Sequence, residues 1–159
     1  MVKTKIHVFY LVIHGLIDNI YRIISSNPIP NMYKYIFIID DSDIDAYILR
    51  RLLKMRNYED QNIKTFSYAR PALEYFTEWS NGSNPLPLPD LIFLDINMAD
   101  MSGLEFLEKF HHLPESILNF TKIIVISSSD DPDDIALSSG YKNVISYIRK
   151  PLDEISFKL

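Results

Sequence analysis

An apolar run, "YIFII", gives way at once to two adjacent acids, Asp40 and Asp41. A second run, "LIFL", ends in Asp95, a third, "IIVIS", ends in Ser127, and a fourth, "VISYI", is followed two residues later by Lys150. Adjacent like charges cost free energy unless a cation, a hydrogen-bond network or water takes up their charge. Three carboxylates make a hard-oxygen set suited to Mg2+, which favours one or two carboxylates together with waters and phosphoryl oxygens. A hydroxyl and an ammonium beside such a cation could hold the remaining oxygens of a phosphoryl group. A carboxylate can also be the nucleophile, forming an acyl phosphate. No spacing within one segment brings these groups together, so the fold has to do it.

From Met32 onward the pattern alternates. Short apolar strands are predicted over 34–40, 63–68, 90–95, 122–128 and 144–148, and helical spacing over 45–56 and 69–79. The loop "NGSNPLPLP" is rich in turn formers. Ser102 and Glu105 are spaced as a capping box at the start of a helix. A further short helix has Asp131 as its cap, Pro132 at its first position, acids in its first turn and Gly140 at its end. Five apolar strands separated by helices predict a parallel sheet covered on both faces. In such sheets ligands bind beyond the carboxyl ends of the strands, at the switch in strand order. Asp40, Asp41, Asp95, Ser127 and Lys150 all fall at or just after carboxyl ends.

The chain has 159 residues, 47% hydrophobic and 23% charged, which suits one domain. A net charge of −5 argues against a nucleic-acid partner, which needs a concentrated basic face. Cysteine is absent from the sequence, which excludes disulfides and thiolate metal sites and suits a cytoplasmic protein. His7, His14, His111 and His112 form no metal-ligand pattern, and His7 and His14, one heptad apart, are read as packing residues of a shared helix face. Residues 1–31 are read as an N-terminal extension and linker, and 32–159 as the domain. Ile6, Phe9, Ile13, Ile17, Ile20 and Ile24 share one helical face, while charged and polar residues leave too short an apolar run to cross a bilayer. "SSNPIPN" then breaks the helix as a linker.

The order of motifs resembles the response-regulator receiver domains of two-component signalling. It comprises the acidic pair Asp40-Asp41, the block "DINMADMSG" close to D-x-x-M-P-x-M-x-G, the strand-end hydroxyl Ser127, the aromatic Tyr147 and the pair Lys150-Pro151. The resemblance implies a flavodoxin-like, doubly wound, five-stranded parallel sheet of order 2-1-3-4-5. It implies Asp95 as phosphoacceptor, with Mg2+ held by Asp41, Asp95 and the backbone carbonyl of Asn97, and by Asp40 through water. Ser127 and Lys150 would bind the phosphoryl group, Tyr147 would turn inward when Ser127 moves, and the Lys150-Pro151 bond would be cis. A histidine kinase or phosphotransfer protein would be the donor. Signal output would be docking to a partner, with neither nucleic acid nor membrane involved, and the protein would not be an enzyme with a substrate of its own.

Two departures stand out. Ala99 occupies the usual proline position, which is expected to loosen the loop, and only eight residues follow Pro151, so the last helix is short. The N-terminal helix is expected to cover the sheet surface left open by that short helix, within the chain or across a homodimer. Two alternatives compete with this reading. A degenerate docking receiver disagrees with the presence of Asp41, Asp95, Ser127 and Lys150. A haloacid dehalogenase-type phosphatase needs a second Asp two residues after the nucleophile, where this chain has Asn97.

Overall fold

In the computed structural model, residues 33–129 and 131–151 are described. β1 (Ile36–Ile39) and β3 (Leu91–Leu94) are four apolar residues each, buried throughout, as central strands of a parallel sheet must be. β2 (Ile63–Phe66), β4 (Lys122–Ser127) and β5 (Val144–Arg149) complete the sheet, all pairs parallel, in the order β2-β1-β3-β4-β5. This is the flavodoxin-like order expected, and the strand boundaries differ from the sequence reading by one or two residues.

Side chains alternate between two cores. Phe37, Ile39, Ile92, Leu94, Ile123 and Val125 face α2 (Ala69–Ser80), α3 (Gly103–His111) and α4 (Glu115–Phe120), which contribute Phe76, Phe106, Phe110 and Ile117. Burying each such side chain contributes about 1.5–3 kcal/mol. Ile36, Ile38, Leu91, Phe93, Ile124, Ile126 and Ile148 point the other way, in one core with Leu49, Leu52 and Leu53 of α1 (Asp43–Met55). α5 (Pro132–Ser139) follows β4.

The helix ends follow the sequence closely. Ser42 caps α1 by accepting from the Asp45 N–H at 3.3 Å, which starts the helix two residues before the apolar spacing does. At its other end Asn57 takes φ 65, the Asn57 N–H donates to Lys54 and the Tyr58 N–H to Leu53. This is a Schellman ending with asparagine in the place glycine usually fills. The capping box of Ser102 and Glu105 is present in both directions, and Asp131 caps α5 with Pro132 at its first position. The sequence pattern does not predict α4, a helix of six residues.

The entrances of four strands are stitched by side chains. Asp90 accepts from the Lys34 and Tyr35 N–H groups at 2.6 and 2.9 Å, just before β1. The Thr121 hydroxyl donates to the Pro89 carbonyl at 2.7 Å. Buried Asn143 donates to the carbonyls of Thr121, at 2.8 Å, and Leu118. Residues 1–32 and 152–159, with the N-terminal and last helices expected there, lie outside the described residues.

Candidate functional site

The register of the sheet assembles the site. Ile39 pairs with Leu94, so Asp40 and Asp95 emerge side by side, and the Asp95 N–H donates to Ile39 at 2.9 Å. Ser127 pairs with Arg149, and the next N–H, that of Lys150, donates to the Ser127 carbonyl at 2.7 Å. Asp40, Asp41 and Asp95 each offer a carboxylate oxygen within 4.8 Å of the others, with Asp41 exposed and the other two buried. The Lys150 ammonium lies 2.8 Å from Asp40 Oδ2, 2.9 Å from Asp45 Oδ2 and 3.5 Å from Asp95 Oδ2. Asp45 lies in the first turn of α1, and the sequence pattern marks it only as a helix residue. The Lys150-Pro151 bond is cis.

The hydroxyl side of the site is equally ordered. Ser127 is fully buried, and its Oγ accepts from Asn97 Nδ2 at 3.3 Å and from the Ser129 N–H at 3.1 Å. Of its neighbours, Ser128 is exposed and the Ser129 hydroxyl donates to Asp134 at 2.6 Å, so Ser127 is the one aimed at Asn97. Tyr147 is half-buried and donates to the Ser129 carbonyl at 2.9 Å. Gly103 is required by close approach: a Cβ there would meet the Asp95 carbonyl oxygen and lie 2.8 Å from Ile96 Cα. His111 is exposed, with its ring 5.9 Å from that of Tyr141.

The electrostatics are unbalanced. Among the described residues the Lys150 ammonium meets three carboxylates, those of Asp40, Asp45 and Asp95, and Asp41 adds a further negative charge to the cluster. Burial pushes the Asp40 carboxyl above its ordinary range, against the pull of the Lys150 hydrogen bond and charge, with Asp95 adding to the rise. For Lys150 burial works downward, but hydrogen bonds to Asp40 and Asp45 and the charges of Asp40 and Asp95 outweigh it, and its pKa is raised. Burial also raises the Tyr147 hydroxyl.

Asp95 tests whether a divalent cation suits these residues. Its Oδ1 is buried without a hydrogen-bond partner, a desolvated acceptor that costs about 1–3 kcal/mol or more if left alone. Mg2+ takes hard oxygen ligands at about 2.1 Å, and carboxylate oxygens already gathered within 4.8 Å of one another could close on such an ion by side-chain movement alone. Excess negative charge, an unsatisfied oxygen and hard-oxygen donors all fit the ion. Asp40 has Oδ1 bonded to the Ser42 N–H at 2.9 Å and Oδ2 to Lys150, which leaves Asp41 and Asp95 better placed for direct contact.

Known proteins are similar to this chain along most of its length. The response regulator Rcp1 of Synechocystis sp. is 27% identical over 122 residues, covering 76% of this chain and 78% of Rcp1. A two-component response regulator from Cytophaga hutchinsonii superimposes with a TM-score of 0.65 at 27% identity, covering 77% of this chain and 89% of that one. The phosphorylated cyanobacterial phytochrome response regulator RcpA gives a TM-score of 0.61 at 27% identity, covering 77% and 84%. The sequence profile described as "Response regulator receiver domain" matches residues 36–158. With its sheet order, its acidic pocket and this match, the chain belongs to the response regulator receiver domain family.

Proposed function

We propose that this chain is a phosphoacceptor that takes a phosphoryl group onto Asp95 from a histidine kinase or histidine phosphotransfer protein in the cytoplasm. Its output is docking to a partner, so it acts as a signalling domain and not as an enzyme with a substrate of its own. The observation that carries the reading is Asp95 Oδ1, buried and unpartnered where Asp41 and Lys150 converge. With Oδ1 taken up by the cation, Oδ2, which lies 3.5 Å from the Lys150 ammonium, would be the attacking oxygen. The phosphorus–nitrogen bond of the donor breaks, an oxygen–phosphorus bond forms on Asp95, and the leaving imidazole takes a proton.

Asp41, Asp95 and the Asn97 carbonyl would hold Mg2+, with Asp40 acting through water. Such a cation neutralises charge on the phosphoryl oxygens. Lys150 would transfer its attention from Asp40 and Asp95 to the new phosphoryl charge, and Ser127 would donate to a phosphoryl oxygen in place of accepting from Asn97. Movement of Ser127 would free space for Tyr147, whose hydroxyl is tied to Ser129 in the same loop. The phosphorylated form of RcpA supports this reading for a similar chain. Asn97 turns its amide to Ser127 and has no carboxyl with which to act as the general acid of a phosphatase.

The test is treatment with a small phosphodonor and Mg2+, followed by intact-mass spectrometry. One added phosphoryl group is expected in the native chain and none in Asp95→Asn. Equal modification of the two would overturn the assignment.

A further inference from the structure

Position 99 is where the block from Asp95 to Gly103 departs from the family pattern, alanine standing for proline. Proline has no N–H. Ala99 has one, and it donates to Asp41 Oδ2 at 3.0 Å across 58 positions of sequence. The departure therefore adds a donor at the acidic pocket. Asp41 is exposed where Asp40 and Asp95 are buried, and an exposed side chain gives up rotamer freedom when it is held.

The next residue ties the loop down. Asp100 Oδ1 accepts from the Ala69 N–H at 3.1 Å and Oδ2 from the Arg70 N–H at 3.0 Å. These are the first two amides of α2, whose N-cap residue, Tyr68, makes no side-chain capping bond. A helix start that leaves its amides free is thus used to anchor a loop from a different strand. Two successive residues join three elements: the end of β1 through Asp41, the loop after β3, and the start of α2.

We propose that the Ala99 N–H, pinned by Asp100, is a positioning group for Asp41, holding its carboxylate where it can act with Asp95 on a cation. The proposal rests on the cation-site reading given above. Hydrogen bonds to metal-ligating carboxylates change metal affinity by about 10–100-fold when lost. Ala99→Pro deletes the donor with a residue the family fold accepts, whereas Ala99→Ser keeps both the N–H and the Cβ.

Mg2+ affinity of the full chain, measured by calorimetry, is expected to fall about 10-fold in Ala99→Pro and to recover to within about twofold of native in Ala99→Ser. Asp100→Ala should weaken it in the same direction. An amide-proton measurement on the metal-free protein supplies the second readout: the Ala99 resonance should shift upfield in Asp41→Ala, as expected when a charged acceptor is removed. Saturable binding in the native chain with equal affinity in Ala99→Pro would overturn the positioning role and leave the cation site standing. No saturable Mg2+ binding in the native chain would overturn the cation-site reading, and the positioning role with it. If Ala99→Pro fails to fold, an Ala99 amide unmoved by Asp41→Ala overturns the proposal on its own.

Discussion

Lys150→Met removes the ammonium that lies within 3.5 Å of Asp40, Asp45 and Asp95 while keeping an apolar side chain of similar length. The ammonium is 2.8 Å from Asp40 and 3.5 Å from Asp95, whose side chains are 7% and 6% exposed. Its loss leaves two buried carboxylates without their counter-charge. Breaking a buried pair costs about 3–5 kcal/mol, and because exposed Asp41 and half-buried Asp45 admit water here, about 3 kcal/mol is expected. At about 2–4 °C per kcal/mol for a chain of this size, the melting temperature should fall by about 6–12 °C near neutral pH. The loss should depend on pH. Burial already raises the Asp40 carboxyl, so its protonated form is favoured more in the folded state than in the unfolded one. Stability from this group therefore declines as pH rises from the ordinary carboxylate range through the elevated folded value. Losing Lys150 lifts that value further, so the variant's deficit should be largest at about pH 7.5 and shrink toward about pH 4.5. Lys150 itself, with its pKa raised, acts at the other extreme: its contribution to the native protein is whole below the ordinary lysine range and fades as pH rises through the elevated value. Circular-dichroism melts of both proteins at the two acidic-to-neutral pH values, without divalent cations, measure the effect. A deficit that is equal at both, or below about 1 kcal/mol at neutral pH, would refute the view that the ammonium neutralises buried carboxylates.

Three further outcomes are expected. Gly103→Ala should cost about 1–3 kcal/mol by forcing a Cβ against the backbone of Asp95 and Ile96, and should slow phosphorylation as Asp95 is displaced; an unchanged melt and rate would show that the loop yields freely. Asp41→Asn should reduce Mg2+ affinity more than Asp40→Asn, because both Asp40 oxygens are engaged by Ser42 and Lys150; equal losses in calorimetry would remove the distinction. A chain beginning at Met32 should melt lower or change its oligomeric state in light scattering if the apolar face of Ile6 to Ile24 covers sheet surface or a second chain; identical behaviour would discard that role.

The parts of the molecule readable in the sequence are those set by local pattern. Apolar runs such as "LIFL" and cap residues such as Ser102 and Asp131 carry their structural meaning within a few positions. Once the runs are assigned to a parallel sheet, the rule about carboxyl ends gathers Asp40, Asp41, Asp95, Ser127 and Lys150 without further information. α4 escaped because six residues, Glu115–Phe120, are too few to establish a helical period, and its cap, Pro114, makes no side-chain bond. The partnership of Lys150 with Asp45 depends on how the first turn of α1 faces the sheet, which spacing alone does not give. The Ala99 donor escaped for a different reason. Alanine at a proline position reads as lost rigidity, and only the path of the loop shows the gained N–H pointing at Asp41.

The stitched strand entrances set a mechanical boundary condition. Asp90, Thr121 and Asn143 fasten β1, β3, β4 and β5 to one another at the end remote from the acids. Strands so fastened resist relieving a load at their exits by sliding lengthwise, since sliding would break these side-chain bonds, those of Thr121 and Asn143 buried, and shift a close-packed core. The remaining freedom is angular, like that of a beam clamped at one end. A displacement imposed near Ser127 therefore grows along β4 from almost nothing at Thr121, and the largest excursions fall on the loops carrying Ser129 and Lys150.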